Sequence, residues 1–201
     1  TAGWTGGSID WRGIAFDGRH NAHASIRGTQ AFANPVNPGW RSPQGKWDDT
    51  VRVRGLDKKP YGPLPRAWAH YKGLYVHGNK VVLSYTVGAR GVFEMPSLHG
   101  ENVFIRNLHI APGTSEIVMQ VAQGTDAKPL DGSRNIVQIA GAKPNENVIA
   151  AAVLGDTGLW DLADGKNLRL RIPAATKAHR LRVLIWNGPA NAVKDFAKAV
   201  A

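Results

Sequence analysis

The chain has 201 residues, 43% hydrophobic, 20% charged and 8% aromatic, which is the composition of a folded domain with a sizeable core and excludes a disordered tail. Cysteine is absent, which excludes disulfides, thiolate zinc sites, iron–sulfur clusters, a cysteine nucleophile and covalently attached c-type haem within the chain. The formal net charge of +10 points to anionic partners such as an acidic protein surface or an acidic glycan; Lys and Arg are scattered rather than gathered in a basic arm, which argues against nucleic acid.

The 23 Gly and 12 Pro are too many for a helical bundle, and no run approaches the roughly eighteen apolar residues of a membrane-spanning helix. The chain opens on Thr1 with neither an initiator Met nor a signal sequence, as expected of a piece processed or excised from a longer protein. Residues 1–70 hold five of the seven Trp and six of the 12 Pro and read as a loop-rich part. Within it Asp10 to Phe16 is a possible strand, and Ala31 to Asp49, broken by prolines and glycines, reads as a long surface loop anchored by Phe32, Trp40 and Trp47.

Residues 71–188 read as alternating strands. Gly73 to His77 and Lys80 to Val87 flank Gly78-Asn79, a strong hairpin signal. Val81, Leu83, Tyr85 and Val87 fall on one face of the second strand, opposite Lys80, Ser84 and Thr86. Further strands are predicted at Val92 to Met95, Asn102 to Ile110, Glu116 to Ala122, Asn135 to Ile139 and Val148 to Leu154. In Asn167 to Ile172 and His179 to Trp186, apolar residues alternate with Arg169 and Arg171 and with Arg180 and Arg182. Residues 189–201 read as an amphipathic helix leading to a following domain, from the early Pro189 and the spacing of Val193, Phe196, Ala197 and Val200. The expected fold is an all-β, antiparallel, jelly-roll-like sandwich forming one domain over residues 1–201.

The motifs that carry chemistry are sparse: no phosphate-binding loop, dinucleotide fingerprint, nucleophile elbow or zinc-protease helix is present. His20 and His23, three residues apart and close to Asp17, have a spacing that could contribute to a metal site, although as polar loop residues they make no site alone. Glycosidase chemistry needs two facing carboxyl groups, and Asp10, Asp17, Asp48 and Asp49 lie near aromatic residues, where turn and capping carboxylates are also common. Trp4, Trp11, Trp40 and Trp47 are candidates for stacking on a sugar or anchoring an interface, with Pro-flanked Trp40 foremost and at least two of the Trp between 4 and 68 expected in the core. If the last two strands pair, Arg169, Arg171, Arg180 and Arg182 form one basic face, relieved by an anionic partner or by neighbours such as Asp161 and Asp164.

Three strings stand out: Gly3-Trp4-Thr5-Gly6-Gly7-Ser8-Ile9-Asp10-Trp11-Arg12-Gly13-Ile14-Ala15-Phe16-Asp17-Gly18, Gly62-Pro63-Leu64-Pro65-Arg66-Ala67-Trp68, and Tyr71 to Gly78 continuing through Val81 to Gly88. With them the chain resembles the domain of unknown function found N-terminal to glucose/sorbosone-dehydrogenase-like propeller and c-type cytochrome domains in large secreted bacterial proteins. The resemblance implies a periplasmic or secreted location, propeller and cytochrome domains as partners, and haem c in those neighbours, with no cofactor in this chain. It transfers no catalytic residue. Two functions follow as expectations: a noncatalytic docking or carbohydrate-presenting module of such a redox protein, or a carbohydrate-active enzyme using an Asp pair in the N-terminal loops.

Overall fold

The computed structural model describes residues 2–11, 24–33, 38–49, 52–56, 58, 60–130, 133–140, 147–156 and 158–200. In chain order the strands are β1 (Ala2–Asp10), β2 (Ser25–Ala33), β3 (Val53–Arg54), β4 (Pro60–Tyr61), β5 (Ala69–His77), β6 (Lys80–Val87), β7 (Arg90–His99), β8 (Val103–Ile110), β9 (Ile117–Gln123), β10 (Thr125–Pro129), β11 (Ile136–Ala140), β12 (Val148–Gly155), β13 (Leu159–Asp161), β14 (Asn167–Ile172) and β15 (His179–Gly188). A short 3-10 turn, Ala190–Ala192, then leads into helix α1 (Val193–Val200).

The strands build an antiparallel sandwich with unequal layers. An eight-stranded sheet in the order β10-β11-β12-β15-β8-β7-β6-β5 is the larger layer, and a three-stranded sheet in the order β13-β14-β9 is the smaller; β1–β2 and β3–β4 are separate ribbons. Inward residues of the large sheet, among them Val92, Leu108, Ile110, Val153, Leu181, Val183 and Ile185, share one core with Ile117, Met119, Val121, Leu168, Leu170 and Ile172 of the small sheet. The period-two alternation along each strand is what divides its side chains between this core and the outer face.

The Gly78-Asn79 turn joins β5 to β6 with His77 opposite Lys80. Gly78 has φ 58°, the left-handed conformation that the first position of a type II′ hairpin demands and that glycine adopts without steric cost. The strands predicted from Val92 to Trp186 are all present, most of them a residue or more longer at an end. The closing helix is present as well, and its Val193 and Phe196 pack on Leu184, Trp186, Ala150 and Ala152 on the outer face of the large sheet. Phe196 stacks on Trp186 with ring centroids 5.9 Å apart and planes inclined by 16°.

Among its described residues, the first third has more paired strand than its composition suggests. A strand, β1, runs over Ala2–Asp10; most of the strand expected at Asp10 to Phe16, residues 12–16, lies outside the described residues. The partner of β1, strand β2, includes Ala31–Ala33, so the first three residues of the expected loop are strand. Glycine and polar residues conceal these strands because the ribbon has little apolar alternation; backbone pairing with register shifts holds it together. At Gly28, with φ 100°, a Cβ would stand 2.7 Å from the Thr5 carbonyl oxygen, so the bulged ribbon requires glycine there. The ribbon docks on the large sheet through Phe32, which meets Phe104 edge to face at 5.2 Å. The edge strand β10 also has no apolar stripe to announce it, since most of its residues are exposed.

Candidate functional site

The expected single basic face does not form. Strand β14 pairs with β13 and β9, whereas β15 pairs with β12 and β8, so Arg169 and Arg171 belong to one sheet and Arg180 and Arg182 to the other. Apolar and arginine positions do alternate in both strands, but the partners of each strand are chosen by non-local packing. Arg169 and Arg171 are neutralised. Arg169 lies 2.9 Å from Asp164 and 4.9 Å over the Trp47 ring, a cation–π contact. Arg171 is paired with Glu116 at 2.8 Å, and the other oxygen of that carboxylate is held by Arg41 at 3.2 Å.

Arg180 and Arg182 differ. Both side chains are exposed, and neither has an ion pair among the described residues. The nearby Asp156 carboxylate accepts instead from the backbone N–H of Arg180, at 2.6 Å. Strand β15 has two halves on its outer face: Leu184 and Trp186 lie under α1, while Arg180 and Arg182 extend beyond it. Among the described residues, the helix therefore covers only part of the outer face of the large sheet.

Register lays two rows of side chains across this open face. Arg180 stands opposite His109, His109 opposite Phe93, Phe93 opposite Ser84 and Ser84 opposite Gly73. In the second row Arg182 stands between Leu154 and Asn107, Asn107 faces Met95, and Val82 faces Tyr75. Phe93 stacks with His109 at 6.4 Å and 26° and meets Tyr75 at 6.3 Å and 56°. Tyr75 and Phe93 are 63% and 44% exposed, so the aromatic strip presents ring surface to solvent. Asn107 donates from Nδ2 to the Met95 carbonyl at 2.9 Å and to Ser97 Oγ at 3.1 Å, which fixes the amide and leaves Oδ1 as an acceptor. Between the strip and the arginines is a depression of about 470 Å³, lined by Phe93, Met95, Asn107, His109, Arg180 and Arg182 among others.

A second cavity, of about 550 Å³, lies beside Arg41, Ser42, Arg90 and Glu116. Buried Arg90 donates from Nε to the Ala111 carbonyl at 3.0 Å and from Nη1 to the Pro173 carbonyl at 2.8 Å. Its Nη2 has no partner among the described residues and is itself shut off from the surface. Burial lowers its pKa from the ordinary arginine value. This guanidinium clamps two loops.

The other candidates scatter. Asp10 is paired with Arg27. Asp49 is buried, with its carboxylate held by Arg52 and its carbonyl by Arg54; Asp48 is exposed. None of these lines either cavity, and Asp17, His20 and His23 lie outside the described residues. Trp40, expected foremost at a contact surface, is instead 7% exposed: its indole packs near Tyr85, and its carbonyl accepts from Trp68 Nε1 at 2.9 Å. With Trp68 also buried, two of the N-terminal tryptophans are core. Trp4 is half-buried and Trp11 exposed. Sequence reading missed Tyr75, Phe93, His109 and Asn107; their outward positions in period-two strands were visible, but their adjacency depends on register.

Residues 1–94 match the family described as "Domain of unknown function (DUF6797)", so the matched segment ends within β7 of the large sheet. No curated protein matches the chain. Among solved structures, the chain is similar to a mutant of the heparan sulfate lyase HepC from Pedobacter heparinus, with 16% identity, TM-score 0.38 and coverage of 60% of this chain and 22% of that one. It is also similar to the heparinase III BT4657 gene product, with 10% identity, TM-score 0.40 and coverage of 62% and 22%. The chain thus spans about a fifth of the length of these lyases.

Proposed function

We propose that the chain is a noncatalytic module that receives carbohydrate on the open outer face of the eight-stranded sheet. The observation that carries this reading is the exposed strip of Tyr75, Phe93 and His109 beside a depression of about 470 Å³. Flat aromatic faces take the apolar C–H face of a sugar ring, and fixed amide and guanidinium groups take its hydroxyls. The module would belong to an exported, periplasmic or secreted redox protein and present glycan to, or dock against, its propeller and c-type cytochrome domains. Haem c would then be held by those neighbours.

Affinity electrophoresis of the whole chain through gels containing polysaccharides of different backbone tests this reading. Retardation by at least one polysaccharide, abolished by Phe93→Ala together with Tyr75→Ala, is the expected result. Unretarded migration in every gel, or retardation unchanged in the double variant, would overturn it. Release of new reducing ends from the retained polysaccharide would show an enzyme instead.

A further inference from the structure

Resting on that reading, we infer that the carbohydrate received on this face is acidic, with a carboxylate or sulfate held by Arg180 and Arg182. The two guanidiniums are the evidence. They project from alternate positions of one strand, so their Cα atoms are separated by about 6.7 Å, and neither is neutralised by an acid among the described residues. Arg169 and Arg171, at the same spacing on the other sheet, have Asp164 and Glu116. Among the described residues, one sheet has therefore balanced its arginines internally, and the other has not.

The neighbours of the two arginines narrow the partner. They line an open depression of about 470 Å³, with His109 and Asn107 beside them and Phe93 behind, which puts an aromatic ring and a fixed amide within reach of the same ligand as the charge. Arg182 and Tyr75 stand four strands apart, about 19 Å at ordinary strand spacing. A ligand that uses both ends of the face is thus a chain, crossing the strands with its acidic group at β15 and its rings over Phe93 and Tyr75. A guanidinium offers paired N–H groups that match a carboxylate or sulfate. An acidic oligosaccharide combines the anion with stackable rings; a neutral one would leave both guanidiniums without a counter-charge.

The test is calorimetric titration of the whole chain with hexagalacturonate and with the neutral cellohexaose and maltohexaose, and gel retardation by dextran sulfate against unmodified dextran. An acidic member of either series should bind and its neutral counterparts should bind at least about tenfold more weakly, the order of magnitude for losing charge-assisted hydrogen bonds. Arg180→Gln with Arg182→Gln should remove that preference, and Arg169→Gln with Arg171→Gln should leave it intact. Equal binding of acidic and neutral ligands would overturn this inference while leaving the carbohydrate reading standing. An acidic preference lost equally in the Arg169/Arg171 variant would also overturn it, as diffuse attraction to a basic protein. No binding to any glycan, with binding to an acidic protein weakened by Arg180→Gln/Arg182→Gln, would overturn both readings in favour of protein docking.

Discussion

Arg106 grips Glu94 with two hydrogen bonds, Nε to Oε1 at 2.6 Å and Nη2 to Oε2 at 2.9 Å, on the core side of the large sheet. Both residues are buried, and the Tyr85 hydroxyl donates to Glu94 Oε2 at 2.7 Å. Burial and the Glu94 charge push the Tyr85 pKa far up, so its hydroxyl remains a donor. Removing one member of such a pair leaves the other charge buried alone. Arg106→Met should destabilise the fold by about 3–5 kcal/mol, and adding Glu94→Leu should restore much of that loss. Urea unfolding of the two variants checks this; equal stability of single and double variants would contradict it.

The same pair sets an acid limit. Burial alone would raise the Glu94 pKa, but the charge and hydrogen bonds of Arg106, with the Tyr85 hydroxyl, hold it below its ordinary 4.5. A carboxylate depressed in the folded state contributes stability that is fully present above its unfolded pKa and is lost as pH falls through the folded one. Stability should therefore drop as pH is lowered from 4.5. The Glu94→Leu/Arg106→Met double variant should lose less over the same interval, as measured by denaturation midpoints across a pH series.

Gly113 makes room for Arg90. A Cβ at Gly113 would lie 2.6 Å from Arg90 Cγ and 2.9 Å from its Cδ, and the arginine is pinned by the Ala111 and Pro173 carbonyls. Gly113→Ala should destabilise by roughly 1–3 kcal/mol, the range for forcing extra volume into a packed interior. Alanine at Gly39, where a Cβ meets nothing, is the matched control, and thermal unfolding compares them.

Helix α1 shields the apolar half of the outer face. Phe196→Ala removes the ring stacked on Trp186 and should cost about 3 kcal/mol, near the lower end for deleting a buried aromatic side chain. Solvent reaching Trp186 should red-shift its emission. Trp160 and the other indoles contribute a background, so the comparison is made against a Trp186→Phe chain, in which the shift should vanish.

Much of the architecture is local information. Gly78-Asn79 marks its hairpin because a tight turn needs a residue tolerant of positive φ, and the alternation in β6, β14 and β15 separates a buried from an exposed face within each strand. The closing helix was equally legible, since Val193 and Phe196 recur at helical spacing. Tertiary structure decided what each face meets. It set the arginines of β14 among Asp164, Glu116 and Trp47 and gave those of β15 no acid partner among the described residues; it buried Trp40 and drew Tyr75, Phe93 and His109 from three strands into one strip. Strand order and register arise from contacts between segments far apart in the chain, chosen by how the whole core packs, and no local pattern of residues encodes which sheet a strand will join.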